Sequence, residues 1–65
     1  MSRADFHQNN AARARAEAQR LLDQQAVLGS RWLAWVSTEL YQLSPPDYTA
    51  MVRRELERLN QAQEP

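Results

Sequence analysis

General acid-base catalysis needs a carboxylate or a histidine held in a sheltered pocket where its pKa can shift. The chain offers His7 and the carboxylates of Asp23, Glu39, Asp47, Glu55 and Glu57 for such work. At helical spacing these carboxylates fall mostly on the polar sides of their segments, and His7 lies in a polar N-terminal stretch. A nucleophile among Ser30, Ser37 and Ser44 would need a base, and no histidine is near them in sequence. Ser30 and Ser44 instead stand where helix caps are expected. Cysteine is absent and His7 is the single histidine, which excludes disulfides, thiol chemistry and the usual zinc ligand sets. The single glycine, Gly29, leaves no phosphate-cradling loop of the GxGxxG or Walker kind. No catalytic, metal-binding or cofactor-binding residue is assigned on these grounds, and the chain is expected to be neither an enzyme nor the carrier of a cofactor.

The remaining distinctive residues are of the interface type. Tryptophan, tyrosine and arginine dominate binding hot spots, and Arg31, Trp32, Trp35 and Tyr41 cluster within eleven positions. Two tryptophans three apart on one short helix do not easily share a core this small. One of them is therefore expected to face a partner, and these four residues are the candidate partner-binding set. The alternative is that both tryptophans plug the core of a monomer.

Charge narrows the partner class. Eight arginines balance eight carboxylates, which removes the net basic charge that nonspecific nucleic-acid binding or an anionic membrane favours. Lysine is absent, which suits the codon habit of a GC-rich genome, that of a bacterium or its phage. The beginning MSRADFHQNN lacks the apolar run of a signal peptide, and the apolar stretch from Trp32 to Val36 is too short to span a bilayer. The expected location is the cytoplasm, with a protein partner, a second copy, or both, and with no membrane or small-molecule substrate.

The elements that must position these residues are helices. A 65-residue chain makes one domain at most, at the size where a single core only marginally outweighs the entropy of ordering the backbone. Gly29 and the Pro45-Pro46 pair are the strong punctuation, and the rest is rich in Ala, Leu, Gln, Glu and Arg, good helix formers. Residues 1–9 are polar and read as a flexible segment, although Ser2 and Asp5 stand at capping-box spacing. A first helix is predicted over about 10–28, where Ala14, Ala18, Leu21, Leu22, Gln25 and Leu28 follow one helical face. Its alanine-lined half would let another helix approach closely, or alanine is there only for its helix propensity. Gly29 reads as a helix stop followed by a serine cap, or as a tolerated glycine in one long helix.

A second helix is predicted over 31–43, with Trp32, Val36, Leu40 and Leu43 on one line flanked by Leu33 and Trp35. A third is predicted over 45–60, with Ser44 as cap, proline at N1, Asp47 near the positive end of the macrodipole and Arg53 paired to Glu57. Residues 61–65 read as a flexible tail. The expected fold is all-α, a helical hairpin or three-helix arrangement that completes its core by dimerisation. Ala14, Ala18, Leu21, Leu28, Leu56 and Leu59 are the residues assigned to that packing.

The functional expectation is a small interaction module, a regulator, inhibitor or accessory subunit that docks its aromatic and apolar face on a larger protein. Two other readings stay open. The segment from Arg31 through the proline turn resembles a helix-turn-helix in outline, with Thr49, Arg53 and Arg54 aimed at DNA, although Glu55 and Glu57 would then face phosphates. The chain would otherwise be a structural component of a larger assembly. No run of residues is specific enough to name a family.

Overall fold

The computed structural model describes residues 2–63, and its regular elements are all helical. They are α1 (Arg3–Asp23), α2 (Gln25–Leu28), a 3-10 turn over Gly29–Arg31, α3 (Trp32–Gln42) and α4 (Pro46–Gln63). The protein is all-α, with no strand among the described residues.

The first helix begins at Arg3 and not near residue 10. Ser2 supplies a complete capping box: its hydroxyl accepts from the Asp5 amide at 3.1 Å, and its own amide donates to the Asp5 carboxylate at 3.4 Å. These bonds satisfy donors that a helix start would otherwise leave orphaned. Phe6 then reaches back against the core, and the Asn10 side chain donates to the Phe6 carbonyl at 2.8 Å. The polar composition of residues 3–9 thus coats a helix. At the other end, the polar segment expected to be a tail begins as helix. Gln61, Ala62 and Gln63 continue α4, while Glu64 and Pro65 lie outside the described residues.

The helical run predicted to reach residue 28 is interrupted at Gln24. The Leu21 carbonyl accepts from the Gln24 amide at 3.3 Å and from the Trp32 indole N–H at 2.8 Å. A side chain bonding into the helical ladder is a recognised cause of such a break. One further turn, α2, then ends at Gly29, whose φ of 57° and ψ of −126° place it in a region nearly reserved for glycine. Of the two readings of Gly29, the stop describes the structure. Ser30 lies in the 3-10 turn and α3 starts without a side-chain cap.

The backbone at Gly29 gives a prediction with an informative sign. A methyl group there meets no neighbouring atom, so Gly29→Ala tests the dihedral angles alone. It is expected to destabilise by about 1–3 kcal/mol. Inside a continuous helix the same change would stabilise by about 1 kcal/mol, so a raised urea midpoint would refute the turn.

The last helix starts at the second proline. Pro45 precedes Pro46 and is thereby disfavoured from helical dihedrals, so Pro46 takes N1, where its missing donor costs nothing. The Pro45 carbonyl, not a Ser44 cap, accepts from the Tyr48 and Thr49 amides at 3.0 and 3.1 Å. The Thr49 hydroxyl donates to the Leu43 carbonyl at 2.9 Å, with the Pro45 carbonyl at 3.3 Å as the alternative acceptor, tying the loop to the helix.

The core lies chiefly between α1 and α4. Ala14 and Ala18 are fully buried and let the two helices approach closely, with Leu21, Val52 and Leu56 filling the seam. Leu28 and Leu59 are partly buried at its edges. Tyr48 is buried beneath Arg13, whose guanidinium sits 4.8 Å from the ring centroid. Such stacking adds a cation–π attraction to the burial of the ring. Helix α3 is held to this pair by Trp32, Val36 and Leu40, and touches α4 over a shorter span than α1 does.

The outcome is flat. The molecule measures 40 × 26 × 13 Å with a radius of gyration of 12.3 Å, against about 11 Å expected for a compact chain of this length. Leu33 and Tyr41 on α3 stay uncovered.

Candidate interaction surface

The uncovered side of α3 follows from its register. Trp32, Val36 and Leu40 recur every four residues and turn inward. The neighbouring line, Leu33, Ser37 and Tyr41, recurs at the same spacing and turns outward. Two of its members are large apolar or aromatic residues left in solvent, Leu33 at 71% and Tyr41 at 91% exposure. Val27 on α2 is also exposed. Exposed apolar residues scattered singly need no explanation, whereas Leu33 and Tyr41 stand on one line beside a groove.

Such a groove runs between α3 and α4, with a volume of about 720 Å³. Trp32, Val36, Leu40 and Leu56 give it an apolar floor. Leu33, Ser37 and Tyr41 form the α3 rim, and Arg53, Glu57 and Asn60 form the α4 rim. The predicted intrachain pair between Arg53 and Glu57 is not among the ion pairs of the described residues. Both side chains are exposed and face the groove.

The four expected partner-binding residues are dispersed. Tyr41 stands on the rim, and Trp32 lines the groove only as part of its floor, at 5% exposure. Its indole N–H is committed to Leu21, so Trp32 is a core residue that closes α3 onto α1. Trp35 is partly buried against the core, while Arg31 is exposed in the 3-10 turn; neither lines the groove. Leu33 is the rim residue that residue type alone passes over, because hot-spot preference favours tryptophan over leucine. The signal is present in the spacing of Leu33 and Tyr41, which sets them two helical turns apart on one line.

Two ion pairs tie helices together, each extended by a second pair within one helix. Arg15 on α1 meets Glu55 on α4 at 3.3 Å, and Arg58 meets the same carboxylate at 2.7 Å. Arg20 bridges Glu17 at 3.0 Å and Glu39 on α3 at 3.3 Å. Hydrogen bonding from Arg58, reinforced by Arg15 and opposed by partial burial, lowers the Glu55 pKa below its ordinary value. The Arg20 hydrogen bond does the same for Glu17, again against partial burial. A carboxyl whose folded pKa is depressed contributes stability above its unfolded pKa and loses it as the pH falls through the folded one. These pairs lie at the surface, where such contributions are small.

Of the side chains in the helix-turn-helix outline, Thr49 and Arg53 line one groove and Arg54 another. Thr49 donates its hydroxyl proton to the Leu43 carbonyl at 2.9 Å. Arg53 opens onto the α3–α4 groove, whereas Arg54 opens onto a second groove lined by Arg3, Phe6 and His7. Among the described residues no helix is long and apolar enough to cross a membrane. No family model, curated protein or solved structure matches this chain.

Proposed function

We propose that this chain is a non-enzymatic interaction module of the cytoplasm, which acts by docking the α3–α4 face on an amphipathic helix of another polypeptide. The observation that carries this reading is the outward line of Leu33 and Tyr41, both strongly exposed beside a groove with an apolar floor. Helix-in-groove recognition uses apolar anchors at such spacing, with polar groups at the rim setting orientation. Tyrosine suits the rim because its ring buries large apolar area while its hydroxyl stays wet. A small regulator or accessory subunit needs no more machinery than this.

The test is a photo-crosslinking amino acid placed at Leu33, at Tyr41 or at Ala16, an exposed position on α1, in the native cell. Covalent adducts with a polypeptide are expected from the first two positions and not from the third. Equal yields at all three positions would sink the reading.

A further inference from the structure

We infer that Gly29 is the hinge of an exchange between two copies of this chain. Turned, it lays α3 and α4 on their own α1; helical, it sends them onto the α1 of a second copy. In the exchanged form α1, α2, the 3-10 turn and α3 become one helix from Arg3 to Gln42. The docking reading is not involved, because α3 and α4 travel together and the groove between them passes unchanged.

Helical phase runs through the turn. Ala14, Ala18 and Leu22 are buried on α1, and Trp32, Val36 and Leu40 are buried on α3. Each of the second set lies eighteen residues after its counterpart in the first, which is five whole turns at 3.6 residues each. Between them Leu21, Gln25, Leu28 and Trp32 recur at four, three and four residues, with Gln25 and Leu28 partly shielded. A hairpin does not need its two helices in phase, since the turn re-aims the second one. A single helix that buries one face along its whole length does.

The backbone of the turn is close to helical already. Gln24, Leu28 and Arg31 keep right-handed helical dihedrals, and Gly29 is the residue with positive φ. Residues 24–31 contain no proline to oppose straightening. Neither α2, the 3-10 turn nor α3 begins with a side-chain cap, whereas α1 begins with a full capping box. Straightening therefore breaks no capping bond.

In the exchanged pair the two long helices run antiparallel. The Trp32 bond to Leu21 and the Arg20–Glu39 ion pair form between chains instead of within one. The same core is completed twice, which is why exchange of an element is a low-cost route to a dimer and why short strained hinges invite it. At dilution the chain stays closed, because its own α1 presents an effective concentration on the order of millimolar.

The test sets the preferred sign of φ at residue 29. Gly29→Ala penalises the turned form alone and is expected to strengthen dimerisation at least about tenfold. The loss of stability expected of the same change is that of the single chain at dilution. D-alanine at this position accepts positive φ and opposes a right-handed helix, and is expected to hold the chain at 7.6 kDa. Each protein is refolded at about 1 mM, and its mass is read by sedimentation. Spin labels at Ala16 and Thr38 sit on the helices that the Arg20–Glu39 pair holds together. In one continuous helix they stand about 33 Å apart, twenty-two residues at 1.5 Å each. Labelled chain diluted into unlabelled chain reports that distance within a single copy. Dimers of Gly29→Ala with the long distance are the expected result. An alanine variant that stays monomeric, or that dimerises with a short distance, overturns the hinge. If Gly29→Ala loses its helical circular dichroism, the wild type decides: its dimer fraction is expected to show the long distance and the D-alanine protein none, and equal results for the two overturn the hinge.

Discussion

Trp32→Ala is expected to unfold most of the protein at room temperature. Truncating a buried tryptophan costs about 3–5 kcal/mol, and Trp32 is buried at the junction of α1, α3 and the groove floor. The change also removes the 2.8 Å bond to the Leu21 carbonyl, where the α1 ladder is already interrupted. Domains hold about 0.05–0.15 kcal/mol per residue, so a chain this short has little in reserve. Trp32→Phe separates the two contributions: it keeps an aromatic ring in place, removes the donor, and is expected to cost about 1–3 kcal/mol. Trp35→Ala should cost less than Trp32→Ala, because Trp35 is only partly buried. Urea titrations followed by circular dichroism rank the three, and equal losses for the two alanine variants would refute the core role of Trp32.

The second large effect is expected at Ala18. Its side chain is fully buried in the seam between α1 and α4, so Ala18→Leu forces three extra carbon atoms between closely approaching helices. Overpacking of this kind costs about 1–3 kcal/mol. At about 4–8 °C per kcal/mol for a domain of this size, the midpoint of thermal unfolding should fall by about 10 °C. Ala16→Leu, two residues away on the solvent side, should stay within about 0.5 kcal/mol of wild type. If both substitutions behave alike, the alanines serve helix propensity and not close packing.

These two sites show what can be read from sequence and what cannot. The all-α fold is legible from composition and from the 3.6-residue spacing of α3 and α4. The buried line Trp32, Val36, Leu40 on α3 follows from the same spacing. Periodicity identifies a face without naming its neighbour, so it does not decide whether Trp32 turns to the core or to a partner. That choice depends on the turn at Gly29, after which the indole reaches a carbonyl eleven residues earlier. The start of α1 is written in the Ser2 and Asp5 spacing, but polar composition argues against it, and a surface helix and a flexible segment share that composition. Residue type points to Tyr41 and not to Leu33, although both occupy the same outward line of α3.

The docking face is tested most directly by the photo-crosslink at Tyr41 in the native cell. At 91% exposure in the isolated chain, this residue has no structural reason to be near another polypeptide unless the groove beside it is occupied. A single discrete adduct is expected from Tyr41, matched by one from Leu33 and absent from Ala16. A Tyr41 crosslinker that reacts only with water, or with the same scatter of neighbours as at Ala16, would contradict the docking face.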